Sequence, residues 1–375
     1  MQNISLNVLQ LLPALEVGGV ERGTLEIAKS LIINGHGSHV ISAGGSMVKE
    51  LEQDGSQHYE LSIGKKSPFT FMQYRAIKKY ILDHEINVLH VRSRMPAWVT
   101  YLAISSLSAD KRPVLVSTVH GPYSVNFYSK IMMRSDRIIA ISDYIKDYIM
   151  SNYPDIDKNK ISLIHRGVDN HVYHPERATP DNWAPPWKSG VSSTTKIITL
   201  PGRITRWKGQ ADFVDIIHQL VNEGMDVHGV IAGGAEKRRQ AFLSELKEKV
   251  NKLQLDKHVS FIGQRKDMQN IMQASDVVLS LAKIPEAFGR TALEALALGT
   301  HVVAYDHGGA HEVLSELFPA GLCEPNNLVD ANAKIQFILN NNLSIKSNEK
   351  FTLQSMIERT LQLYKDAVYI NSQGQ

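Results

Sequence analysis

The chain has 375 residues, 43% of them apolar and 21% charged, with a formal net charge of +3. That length is too great for one ordinary α/β core and suits two, and the composition excludes disordered and fibrous classes. The slight positive charge lacks the bias of a nucleic-acid binder, so no nucleic-acid partner is expected; the single cysteine, Cys323, excludes an intramolecular disulfide and a cysteine-based zinc site and suits a reducing compartment.

The opening run Met1 to Pro13 carries neither a basic leader nor a small-residue cleavage site, and is predicted to be a first strand and not a signal peptide. No apolar stretch approaches the roughly 18–20 residues of a transmembrane helix. A cytoplasmic protein that at most visits the cytoplasmic face of the inner membrane is the expectation.

From there β-branched runs alternate with helical patterns, which predicts βαβ units and parallel sheets. In the first half strands are expected at Val8–Leu12, His39–Ser42, Val88–Val91, Val114–Thr118, Ile138–Ile141 and Ile161–Ile164. The first helix is expected over Glu21–Asn34, with Leu25, Ala28, Leu31 and Ile32 on one face and Gly35 as its C-terminal cap. Between about Tyr173 and Thr195 the pattern breaks into a Pro-, Trp- and Ser-rich stretch, the predicted linker. Alternation restarts with strands Ile197–Leu200, Val227–Ile231, Val259–Ile262, Val277–Leu281 and Val302–Ala304, and helices at Gly209 onward, Glu236–Val250 and Phe288–Leu298. A last helix spans about Leu353–Val368. The predicted division is therefore an N-terminal Rossmann-like domain over 1–180, joined by the C-terminal helix 353–370, and a second Rossmann-like domain over 190–350.

Ligands of open parallel sheets sit beyond the carboxyl ends of the strands, so the residues just after each strand carry the information. After the first strand of the second domain comes Pro201-Gly202-Arg203-Ile204-Thr205-Arg206-Trp207-Lys208-Gly209. Arg203, as a planar fork, and Lys208, as a point charge, are placed to neutralise a diphosphate. Taken alone, the same loop is equally a solvated basic cap. After the strand Val277–Leu281 comes Pro285-Glu286-Ala287-Phe288-Gly289-Arg290-Thr291-Ala292-Leu293-Glu294. Glu286 falls in the strand-to-helix loop, and the amides of Phe288, Gly289 and Arg290 fall at a helix N-terminus, where free N–H groups and the dipole favour a phosphate. Glu294 neighbours the buried face of that helix and needs a hydroxyl or cationic partner.

Glu286 and Glu294, seven residues between them, preceded by Arg203 and Lys208, resemble the family 4 retaining glycosyltransferases of the GT-B fold. The likeness runs along nearly the whole chain, through Gly18-Gly19-Val20-Glu21-Arg22, Thr118-Val119-His120-Gly121, Ile139-Ala140-Ile141-Ser142 and Ile164-His165-Arg166-Gly167-Val168-Asp169. It implies two Rossmann-like domains facing across a cleft. It also implies roles: Arg203 and Lys208 on the donor diphosphate, Glu294 on the ribose hydroxyls, Glu286 at the transferred sugar, Gly19 at the phosphates, and His120 at the catalytic centre. The amides of Phe288, Gly289 and Arg290 would complete the phosphate shell. The donor implied is a nucleotide-diphosphate sugar, a UDP-sugar foremost, with no metal and no further cofactor; the only Asp-x-Asp, Asp155 and Asp157, reads as a solvated turn. The chain departs from the family at Gly233-Gly234-Ala235-Glu236, in place of a Gly-Asp-Gly turn, and at Arg290, in place of a small or aliphatic residue.

Acceptors of the resembled family bind the first domain. There Lys65, Lys66, Lys78, Lys79, Lys130, Arg134 and Arg137 read as a solvated face, whereas Arg92 and Arg94 directly follow the strand Val88–Val91. These two arginines are the expected contacts for an anionic saccharide or lipid-linked acceptor of lipopolysaccharide type, with the remaining cations near an anionic membrane surface. The competing reading is a sugar-nucleotide epimerase or hydrolase with the same diphosphate cradle and no acceptor. Dinucleotide oxidoreduction is disfavoured because Gly18-Gly19 lacks the Gly-x-Gly-x-x-Gly spacing.

Overall fold

The computed structural model describes residues 4–16, 18–187 and 191–373. They divide into two compact units, Met1–His165 with Gln354–Gln375, and Arg166–Leu353. Each holds one parallel sheet flanked by helices, the doubly wound α/β architecture expected from the alternation.

The first sheet comprises β1 (Asn7–Leu11), β2 (Gly37–Ser42), β3 (Gln57–Glu60), β4 (Val88–Val91), β5 (Val114–Val119), β6 (Arg137–Ala140) and β7 (Ile161–Leu163). Their spatial order is β3-β2-β1-β4-β5-β6-β7, and every pairing is parallel. Strands covered on both faces read as continuous apolar runs. Accordingly Leu9, Leu11, Leu89, Val91 and Leu115 pack with Ile77, Ile81, Val99 and Ala103, while Leu12 and Val40 pack with Leu25, Ala28 and Leu51.

The second sheet comprises β8 (Lys196–Pro201), β9 (Val227–Ala232), β10 (Val259–Gly263), β11 (Val277–Ser280), β12 (His301–Tyr305) and β13 (Leu322–Cys323), in the order β10-β9-β8-β11-β12-β13. In both sheets the winding reverses direction, between β1 and β4 in the first and between β8 and β11 in the second. A reversal leaves a crevice at the carboxyl ends of the two central strands, which is where open α/β sheets take ligands.

Two strands were not predicted. β3 and β13 are edge strands of four and two residues, and the exposed Gln57 and Glu60 give β3 no buried run to read. The division between units also falls earlier than the predicted linker over 173–195, of which residues 188–190 lie outside the described residues. The segment from Arg166 onward belongs to the second unit because it is bonded there. Val168 exchanges backbone hydrogen bonds with Phe351 (3.1 Å) and Leu353 (2.8 Å), Arg177 donates to Asn270 Oδ1 at 2.6 Å, and Trp183 Nε1 donates to Asp267 Oδ2 at 2.7 Å. The residues of 166–180, assigned to the N-terminal domain by sequence, are therefore corrected to the second unit. The C-terminal helix, Leu353–Gln373, packs with the first unit: Arg359 donates to the Leu163 carbonyl at 2.6 Å, and Tyr364, fully buried, bonds His90 Nδ1 at 2.5 Å.

Candidate active site

At the reversal of the second sheet, the loop after β8 and the loop after β11 are tied together. Lys283 N–H donates to the Trp207 carbonyl at 2.7 Å, and Gly209, which opens the helix Gln210–Asn222, lies against the end of β11. Gly209 has φ +79°, and a Cβ there would stand 2.1 Å from the Leu281 carbonyl oxygen, so this approach needs glycine. Lys208 is thereby brought to Glu286, with which its ammonium forms an ion pair; the two side chains are 21% and 13% exposed. The Lys208 ammonium also lies 4.8 Å from the Trp207 ring centroid.

Glu286 is held from behind. Gly309 N–H, in the first turn of the helix Gly308–Leu317, donates to the Glu286 carbonyl at 2.8 Å. Gly289 caps the helix Arg290–Ala297 at φ +75°, where a Cβ would meet Ala310 Cα at 2.9 Å. Phe288 is buried edge-on against Phe351, at 5.8 Å between centroids. This packing fixes the turn whose amides open the helix. Within that helix Arg290 Nε pairs with Glu294 Oε1 at 3.0 Å, and both side chains are largely covered.

The seven second-unit residues singled out by sequence thus lie on two loops and one helix around the β8/β11 reversal. Arg203 is the outlier in burial: its side chain is 69% exposed and faces Glu236 Oε1 at 3.6 Å. Arg238 bonds that same carboxylate at 2.9 Å, and this contact, with Arg239 and Arg203 adding, holds Glu236 below the usual carboxylate range. Arg206 Nη2 donates to both carboxylate oxygens of Glu245, each at 2.7 Å. Cations and carboxylates alternate across this surface.

Sequence reasoning missed Glu236 as the counter-ion of Arg203, although the Gly-Gly-Ala-Glu departure marked the position. It also missed the buried Asp212–Tyr305 pair behind the loop and the exposed Lys283 that joins it. Asp212 accepts from the Tyr305 hydroxyl at 2.9 Å and pairs with Lys283 at 2.7 Å; burial, reinforced by Asp212, pushes the Tyr305 phenol up. These residues are dispersed over three segments, so no local pattern announces them.

In the first unit Gly19 starts the helix Gly19–Ile33 directly after the β1 loop, exposed and with open space where a Cβ would project. His120 follows β5, and its N–H donates to the Tyr123 hydroxyl at 3.4 Å. The two arginines after β4 diverge. Arg92 turns inward beneath the first helix, donating from Nε and Nη2 to Gln10 Oε1 at 2.9 and 2.5 Å, and burial lowers its pKa below the ordinary arginine value. Arg92 is therefore corrected from an acceptor contact to a core cation that joins β1, β4 and the first helix. Arg94 remains at the surface.

A doubly wound fold with its polar constellation at the sheet reversal, one in each of two units, is the GT-B arrangement of Rossmann-like domains. The comparisons agree. "Glycosyl transferases group 1" matches residues 181–355 and "Glycosyltransferase Family 4" matches residues 17–172. A crystal structure of a glycosyltransferase from Rickettsia africae ESF-5 is 32% identical, covers 97% of this chain and 99% of that one, and superposes with a TM-score of 0.84. The structure of HepE from Anabaena in complex with UDP and glucose shares the fold at 20% identity, over 96% and 99% of the two chains, with a TM-score of 0.80. Among curated proteins, the lipopolysaccharide core biosynthesis mannosyltransferase LpsB of Rhizobium meliloti strain 1021 is 30% identical over 189 residues, 50% of each chain. As with a further curated relative, the chain spans only about half of that protein's length. The chain belongs to glycosyltransferase family 4 and is an enzyme of the GT-B fold.

Proposed function

We propose that this glycosyltransferase moves a sugar, with retention of anomeric configuration, from a UDP-sugar to a saccharide or lipid-linked acceptor in lipopolysaccharide or other cell-surface glycan synthesis. The observation that carries the reading is the Lys208–Glu286 pair joining the loops after β8 and β11. Support for the nucleotide comes from the UDP and glucose bound by HepE, and for the glycan class from the likeness to LpsB.

Breaking the sugar–phosphate bond develops negative charge on the departing diphosphate. In this reading Arg203, Lys208 and the amides of Phe288, Gly289 and Arg290 stabilise that charge without a metal, as fixed donors that need little reorganisation. Glu294 binds the ribose hydroxyls, and Glu286 lies at the sugar, where oxocarbenium character develops. Gly19 and His120 of the first unit keep the roles that the resemblance gives them. A thermal-shift series with UDP, GDP and ADP tests the donor: UDP is expected to raise the melting temperature most, and Lys208→Ala to abolish the rise. Product analysis with UDP-sugars and candidate acceptors checks the reaction. An epimerised donor, or a donor merely hydrolysed in the presence of every acceptor, would replace transfer by the competing reading.

The reading includes work at the cytoplasmic face of the inner membrane. No helix among the described residues is long and apolar enough to cross a membrane. The first unit exposes Phe69 (76%), Met72 (61%) and Phe127 (71%) beside Lys65 and Lys130, a composition suited to an anionic lipid surface. Flotation with phosphatidylglycerol vesicles at low salt, reduced by Phe69→Ser with Phe127→Ser, is the expected result.

A further inference from the structure

Arg94 is the first residue of the helix Arg94–Ser105, directly after β4 at the reversal of the first sheet. Its guanidinium carbon lies 4.7 Å from the centroid of the Tyr123 ring and 5.3 Å from that of Tyr128. Lys66 places its ammonium 5.2 Å from the Tyr128 centroid. Two cations thus converge on the Tyr128 ring, and Arg94 also lies over Tyr123.

The setting is built independently of the cations. The Tyr148 hydroxyl donates to the Tyr123 carbonyl, and Trp98 Nε1 donates to the Tyr128 carbonyl at 3.0 Å. Asn126 Oδ1 accepts from Ser129 N–H at 2.9 Å, fixing the turn between the two tyrosines. The Tyr123 hydroxyl accepts the His120 N–H, which ties the rings to the residue after β5. Rings locked in this way orient a guanidinium resting on them.

These two cations differ from those of the second-unit loops in their counter-charge. In the second unit Arg203, Arg206, Lys208 and Arg290 all face carboxylates. Among the described residues neither Arg94 nor Lys66 has a carboxylate within ion-pair distance, and Arg94 uses one of its five N–H donors on protein, Nη1 to Ser129 Oγ at 3.2 Å. A pre-oriented fork with spare donors, beside a flexible ammonium, suits a phosphate group: bidentate contact from the arginine and a point charge from the lysine. Ser93, the N-cap of the helix, makes no side-chain capping bond, so the amides of Arg94 and Met95 add donors on the same side of the strand end, Pro96 having none.

We infer that Arg94 and Lys66, held by Tyr123 and Tyr128, seat a phosphate group carried by the acceptor saccharide. The assignment rests on the proposed transfer reaction and adds that the acceptor is phosphorylated. It replaces the pair Arg92 and Arg94 by a pair in which both members reach solvent.

Titration calorimetry on the full chain, in saturating UDP so that the second-unit cradle is filled, compares glucose with glucose 6-phosphate and mannose with mannose 6-phosphate. The phosphorylated sugars are expected to bind about tenfold more tightly than their neutral counterparts, as for a charge-assisted contact in a half-open site. Arg94→Gln should remove most of that preference, Arg94→Lys should keep part of it, and Lys66→Gln, at an exposed position, should lower it about threefold. Equal binding of neutral and phosphorylated sugars by the wild type overturns the inference, as does a preference that survives in the R94Q/K66Q double variant. A loss of flotation with phosphatidylglycerol vesicles in that variant, with sugar-phosphate preference intact, would instead give the two cations to a lipid headgroup. Should UDP give no thermal shift, the donor reading fails on its own, while the same titrations without UDP still decide the phosphate seat.

Discussion

Lys208 and Glu286 are each other's ion-pair partners, so a diphosphate that takes the ammonium competes with a carboxylate already in contact. The pair is partly covered, and each member would be left poorly compensated by loss of the other. Glu286→Gln is therefore expected to have opposite effects on two steps. Free UDP should bind more tightly, by about fivefold for a gain near 1 kcal/mol, because the cation loses its internal competitor. Transfer should fall by roughly two to three orders of magnitude, because the group proposed at the reacting carbon is gone. Calorimetry with UDP and a radiolabelled transfer assay separate the two, and a parallel fall in both would assign Glu286 to binding alone. Arg290 belongs to the same scale. It pairs with Glu294, so Arg290→Leu removes that cation from the carboxylate proposed for the ribose and should change affinity for UDP itself, an effect seen by comparing UDP with UDP-sugars.

At the scale of elements, loops after strands carry the site only because helix starts press against them. Gly209 is such a start, and Gly209→Ala meets both a left-handed φ and the Leu281 carbonyl. A loss of about 2–4 kcal/mol in denaturant unfolding is expected, with weaker UDP binding, since Lys208 is its neighbour. β2 offers a second case. His39, buried on that strand, bonds the Tyr80 hydroxyl at 3.0 Å and Asn7 Oδ1 at 2.9 Å, and desolvation, with His84 adding, lowers its pKa to about 4. The folded protein then binds fewer protons than the unfolded chain between pH about 6.5 and 4, so this contribution is complete above 6.5 and is lost as pH falls through that window. The full shift corresponds to about 3 kcal/mol, and His39→Gln should flatten the stability profile there. Burial also lowers His36 and His58, so some slope should persist in the variant. These elements also show what a sequence can disclose. The central strands were legible because both of their faces are apolar, and Glu286 and Glu294 because one loop and one helix hold them at fixed spacing. The inward turn of Arg92 was not legible, since its partner Gln10 stands on another strand and both residues look like surface groups in the sequence. Glu236 was hidden for a similar reason: its pairing with Arg203 joins loops after β8 and β9.

At the scale of the molecule, the chain leaves its first unit at His165 and returns to it with the last helix. That return is not a surface addition. Met356, Leu361, Leu363, Tyr364 and Ala367 are buried by it, and the Tyr364 hydroxyl continues through His90 to Thr118 Oγ1 at 2.6 Å, on the neighbouring strand. Burial of each large apolar side chain contributes about 1.5–3 kcal/mol, so losing four of them approaches the whole stability of an ordinary domain. Tyr364→Phe, which removes the buried hydroxyl bonded to His90 Nδ1, should cost about 1–3 kcal/mol. Removal of residues 354–375 should do more, unfolding the first unit while the second, whose segment from Arg166 to Leu353 is closed by the Val168–Phe351 and Val168–Leu353 hydrogen bonds, keeps its own transition. Calorimetric scans read this directly: the truncated chain should retain one transition, that transition should still rise with UDP, and the transition missing from it should be the one that Tyr364→Phe lowers in the full chain. A truncated chain with both transitions intact would show that the first unit stands without its returning helix, and that the burial of Tyr364 contributes far less than its contacts imply.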